Sequence, residues 1–256
     1  SYWLRGDIRV PASGQFTVRF EGLREPIAVT LRPARSASTL EELGPTVTRG
    51  GVALTAVSDA EGDGRLRVTL LAQPPAGMHV QSYGLHPNPD VADTFLYSPD
   101  GAEAVMERDP AFPKPNELLF RRDPSAMGQY RLVVGSLEAV KRAERPARIV
   151  LPVPPAGETL QPNVSASIVG YPVDLLTVRT IANPDSDTDT LVIEVDAHYD
   201  KDRADNLLVF FPETDSISAR SDPATGQIVQ LSVDVPSGAR SYALTVAQAT
   251  IQIRGP

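Results

Sequence analysis

The sequence predicts an all-β protein: tandem antiparallel Ig-like β-sandwiches preceded by a short extended N-terminal segment. Apolar residues recur at every second position through most of the chain, the period of half-buried strands. Turn signals with proline early and glycine late separate these runs. A strand-and-turn unit also recurs along the chain, which points to repeated modules in place of one large fold.

In order, Phe16, Val18 and Phe20 alternate with Thr17 and Arg19, and Ile27, Val29 and Leu31 alternate with Ala28 and Thr30. The single helical candidate is Ser38–Leu43, where Ser38 would cap one turn and Glu41 would close a capping box before Gly44-Pro45. Val52, Leu54 and Ala56 form the next strand, then Leu66, Val68 and Leu70 after the Glu61–Gly64 turn. Ser98-Pro-Asp-Gly101 reads as a hairpin turn, followed by the strand of Leu132 and Val134. Leu191, Ile193 and Val195, then Leu231, Val233 and Val235 around the Asp222–Gly226 turn, and finally Leu244 and Val246 complete the series. Antiparallel sheets are expected over parallel ones, since the crossover helices that parallel sheets require are missing.

The repeat is read from Pro124–Val134 and Pro236–Val246, where Tyr130 and Tyr242, Leu132 and Leu244, and Val134 and Val246 each lie 112 residues apart. Pro11–Phe20 is a third, partial match. Upstream, Gly50–Val57 pairs with Gly170–Val178 and Leu66–Leu70 with Leu191–Val195. We therefore expect sandwiches over residues 44–155 and 156–256, joined by a stiff linker at Pro152–Gly157. Residues 1–43 are a partial repeat or strands added to a neighbour, and the sequence leaves both readings open. The strand Thr250–Arg254 lacks a counterpart to Arg148–Pro152, so an open sheet edge and oligomers by strand exchange are expected. Tyr130 and Tyr242, entering late strands after turns, are candidates for a tyrosine corner.

Composition narrows the function. The 256 residues include no cysteine, which excludes disulfides, thiolate metal sites and cysteine nucleophiles. The 32 acidic residues outnumber 24 basic ones, giving a net charge of −8, so nucleic acid is not an expected partner. No run approaches the about 18 apolar residues of a membrane span. The chain starts without an initiator methionine or a signal-peptide pattern, so we expect a piece of a longer protein, with any membrane segment outside it.

The glycine–apolar opening strand (Gly51–Thr55), the Ser98–Gly101 hairpin, the aromatic-x-Leu-x-Val strand and the proline-bounded Ile149–Pro152 together resemble extracytoplasmic Ig-like repeat regions of bacterial anti-sigma-factor-type membrane proteins. The resemblance covers residues 44–155 and, more loosely, 156–256. It implies an outer-face module beyond a membrane anchor, with no enzymatic residues to carry over.

Candidate chemistry is sparse. Asp185, Asp187 and Asp189 are spaced two apart, as in loops that bind calcium, but Thr190 and Asp196 stand where an EF-hand has glycine and glutamate. The alternative is a solvated hairpin. His198, in the most polar stretch, could act as a base aided by Asp200 or Asp202, or simply lie in a charged turn. His79 and His86 read as loop residues. Phe112, in a proline-rich loop, and Tyr97 are the candidate binding aromatics. No nucleophile elbow or phosphate loop occurs. The expected function is a non-enzymatic extracytoplasmic binding, sensing or spacer module with a protein partner and no obligatory cofactor. The alternative is a carbohydrate-binding or adhesin-type surface module, for which the 15 aromatics, with one tryptophan, are few.

Overall fold

The computed structural model of the chain describes residues 15–18, 27–30, 37–60, 64–83, 94–107, 116–123, 125–126, 128–214 and 216–255. These residues are all-β and antiparallel, built as sandwich-like packings of several sheets. Strands β1 (Gln15–Val18) and β2 (Ile27–Thr30) form a two-stranded antiparallel sheet. Instead of a helix, Ser38–Leu43 forms a turn, and its cap is Glu42: the Ser38 amide and hydroxyl donate to the two Glu42 carboxylate oxygens at 2.9 and 2.8 Å. The expected partner, Glu41, is one position out of register for this turn.

The first sandwich contributes β3 (Thr46–Arg49), β4 (Val52–Ala60), β5 (Arg65–Gln73), β6 (Met78–Ser82), β7 (Thr94–Tyr97), β8 (Met106–Glu107), β9 (Glu117–Arg121), β10 (Arg131–Val134) and β11 (Ser136–Pro152). The second contributes β12 (Thr159–Leu160), β13 (Val164–Ile168), β14 (Tyr171–Ile181), β15 (Thr188–Asp196), β16 (Asp205–Phe210), β17 (Ile217–Ser221), β18 (Ile228–Pro236) and β19 (Ser241–Arg254). Alternation works as the sequence predicts. In β5, Leu66, Val68 and Leu70 are buried between half-buried positions, and in β18, Leu231, Val233 and Val235 do the same. The Asp222 carboxylate accepts the Ala224 and Thr225 amides at 2.7 and 3.0 Å, and the Gly226 amide closes the β17–β18 turn onto the Asp222 carbonyl at 2.8 Å.

The two larger sheets share a strand order. One sheet runs β3-β4-β5-β9-β8, and the other carries the same order, β13-β14-β15-β18-β17, with β12 beside β13 on the edge of β14. A third sheet, β16-β19-β11-β6, takes two strands from each half. Its centre is the antiparallel pairing of β11 with β19 over thirteen residue pairs, interrupted by a bulge between Arg142 and Ala147. At about 3.4 Å per residue this ribbon runs some 40 Å.

The seam has internal two-fold symmetry. Ser136 pairs with Arg254, and Arg142 pairs with Gln248. Shifted by the 112-residue repeat spacing, Gln248 is the equivalent of Ser136 and Arg254 the equivalent of Arg142. At the midpoint Ala139 pairs with Ile251, its own equivalent. Flanking strands obey the same relation, since Val80 of β6 lies beside Ala139 and Leu207 of β16 beside Ile251. The two halves thus meet through β11 and β19 in a pseudo-two-fold pairing, of the kind that joins subunits in an isologous dimer.

This arrangement corrects three expectations. The stretch around Thr250 is no open edge, because it lies between β11 and β16. The linker is not a free spacer: Pro152 is the last residue of β11, Ala156 bridges to Thr180, and the Gly157 amide donates to the Thr180 carbonyl at 3.0 Å. The halves are not closed off from each other either. Ile253 packs with Val52, Leu54, Val134 and Leu137 of the first half, and the buried residues of both form one cluster. Tight approach there requires glycine: Gly50 has φ +54°, and a Cβ on it would sit 2.8 Å from Ile253 Cγ2.

The Tyr130 hydroxyl donates to the Asp123 carbonyl at 3.4 Å, as a tyrosine corner requires. Tyr242 makes no such bond among the described residues. The tight turn before it, closed from the Ala239 amide to the Pro236 carbonyl, offers no crossing loop to tie.

Candidate functional site

A wide, open depression of about 960 Å³ lies on the second sandwich. The β15–β16 loop, residues 197–204, and the β17–β18 turn form its walls, while Leu176, Glu194 and Val229 reach it from the sheet. Register creates its centre. Asp174 of β14 and Asp196 of β15 are direct cross-strand partners, so two carboxylates face each other, an unfavourable pairing by itself. The chain then turns back at His198, whose φ of +51° is unusual for a side-chain-bearing residue. That turn returns the imidazole between the two: Nε2 lies 3.0 Å from Asp174 Oδ2 and Nδ1 lies 3.8 Å from Asp196 Oδ2. The His198 amide donates to Asp196 Oδ1 at 2.8 Å.

The carboxylates expected to assist His198 were Asp200 and Asp202, but these build the loop. Asp200 Oδ1 accepts the Asp202 amide at 2.8 Å. Buried Asn206 accepts the Asp200 amide and donates to its carbonyl, both at 2.9 Å. Buried Gln227 pins the opposite wall, donating to the Leu207 carbonyl at 2.8 Å. Beyond the loop, Tyr171 donates its hydroxyl to Asp205, with Lys141 and Arg203 at 5.1 and 5.4 Å from its ring centroid. Burial, reinforced by the Asp205 carboxylate, pushes the Tyr171 phenol far above its ordinary range. Of these groups only His198 and its neighbouring aspartates were singled out by sequence. Asp174, Tyr171 and Gln227 enter through contacts distant in sequence, which leave no local motif, and Asn206 braces the loop from six residues beyond Asp200.

Asp185 and Asp187 lie, exposed, in the turn between β14 and β15, and half-buried Asp189 stands in β15, paired with Val235 of β18. Asp189 Oδ1 accepts the Asn183 amide at 3.3 Å, and the Asp187 carbonyl accepts the Ser237 amide at 3.0 Å. Among the described residues no three histidine or acidic side chains are grouped to hold a metal ion. Tyr97 is half-buried in β7, with the Arg131 guanidinium 4.7 Å from its ring centroid, so one face of the ring is covered. Phe112 and His86 lie outside the described residues. His79 is not a loop residue: it stands in β6, paired with Val140. Among the described residues no helix is long and apolar enough to cross a membrane. No protein-family model, curated protein or solved structure matches the chain.

Proposed function

We propose that this chain is a non-enzymatic binding or sensing module, displayed outside the cytoplasm by a bacterial membrane-anchored protein of the anti-sigma-factor type. The observation that carries the reading is the path of β19. After building the second sandwich the chain returns along β11 into the first, so Ile253 ends against Gly50, at the turn between β3 and β4. The second half is thus tied to the first along a shared ribbon some 40 Å long, and this fixed arrangement supports presentation of a surface over a free, extensible linker.

The cysteine-free sequence makes the localisation testable. Asp185→Cys places one thiol on an exposed hairpin. In intact cells making the full-length protein, a membrane-impermeant maleimide is expected to label this variant as completely as it does after lysis. Labelling only after lysis refutes the proposal.

A further inference from the structure

We propose that the depression around His198 is a binding site for a neutral, hydroxyl-rich saccharide; this rests on the binding-module reading and supplies its ligand class. Comparison of the two halves singles out the place. In the first half the turn from β5 to β6 takes residues 74–77; the equivalent connection from β15 to β16 takes residues 197–204. The longer loop contributes His198, Tyr199, Asp200 and Arg203 to the wall, and Asn206 braces it from beneath. The connection in the second half is therefore twice as long as its counterpart, and it carries a positive-φ histidine.

The lining selects the ligand. Four carboxylates, Glu194, Asp196, Asp200 and Asp222, face the depression with two guanidiniums, Arg203 and Arg220. Each carboxylate already accepts from a protein donor: the Thr177 hydroxyl for Glu194, and main-chain amides for the other three, all within 2.7–2.8 Å. Arg220 is exposed and has no side-chain partner among the described residues, and Arg203 reaches Asp205 only at 3.7 Å. A cationic ligand would meet both arginines; an anionic one would meet four carboxylates. Hydroxyl groups satisfy both kinds of wall, donating to the free lone pairs of a carboxylate and accepting from a guanidinium. Apolar surface is present too. The bulge between Leu175 and Thr177 turns Leu176 outward, 48% exposed, which suits the C–H face of a sugar ring; Tyr199, whose one ring face the Arg254 guanidinium covers at 5.3 Å from the centroid, leaves only the other. The volume lies within the range of small-ligand sites.

The test is a titration of the 15N-labelled 256-residue chain with cellotetraose, maltotetraose, mannotetraose and N-acetylchitotetraose, alongside tetralysine and trigalacturonate. At least one neutral tetrasaccharide is expected to shift the amides of residues 196–203 and 220–227. Arg220→Ala should weaken that binding about tenfold, the loss of a charge-assisted hydrogen bond. Leu176→Ser should weaken it as well, and both variants should keep the parent Tm because both side chains are exposed. The proposal is overturned if no neutral tetrasaccharide shifts these amides at about 10 mM. It is equally overturned if tetralysine or trigalacturonate shifts them more strongly, or if both variants bind as the parent does. Such a failure leaves the maleimide result intact, so the two proposals fall separately.

Discussion

Replacing Ile251 by alanine probes the seam that joins the halves. Ile251 is fully buried, lies at the midpoint of the β11–β19 pairing, and has Ala139 on one side and Leu207 on the other. With alanine already opposite, Ala139 cannot grow into the space, so most of the cavity persists. Buried isoleucine-to-alanine changes cost about 2–5 kcal/mol, and incomplete collapse puts this one near 3 kcal/mol. For a chain of this size that is a fall in Tm of about 6–12 °C. Because Ile251 belongs to the second copy by sequence but to a sheet made by both, the loss is expected to reach both halves. Calorimetry should give one transition, shifted as a whole. Hydrogen exchange should rise together in Val52–Leu70 of the first half and Leu191–Val195 of the second. A second-half transition that moves alone, with exchange in β4 and β5 unchanged, would show that the seam does not couple the two units and would refute the reasoning.

Two further outcomes follow from particular contacts. Gly50→Ala combines a positive φ with a Cβ placed 2.8 Å from Ile253; it should cost at least about 1–2 kcal/mol from the backbone alone, seen as a lower denaturant midpoint at unchanged slope. Tyr171 ionises in the unfolded chain near pH 10, but its folded phenol is held well above that value, first by burial and then by Asp205. Its contribution to stability is therefore complete below about pH 10 and is lost as pH rises beyond it. Denaturant midpoints measured from pH 8 to 11 should fall more steeply for the parent than for Tyr171→Phe, and parallel curves would contradict the assignment.

Much of the fold was legible because strands and turns announce themselves locally. Alternation placed Leu66, Val68 and Leu70 on one face before any coordinates, and Asp222 and Gly226 each have a backbone reason to stand where they do. The site was far less legible. His198 could be picked out as a histidine among charges, but its partners could not, since Asp174 lies 24 residues upstream and reaches it only through the β14–β15 register.

By itself, then, the sequence determined the all-β class, the strand periods and the turn chemistry. These depend on how each residue fits a pleated backbone with one buried face, a short-range matter. Tertiary structure alone decided that the last strand of the second copy pairs with the last strand of the first. Every strand of suitable pattern offers the same amides and carbonyls to any neighbour. Which pairing wins depends on the apolar area buried together, here Ile251 and Ile253 against Ala139 and Leu137, and no local pattern records that sum.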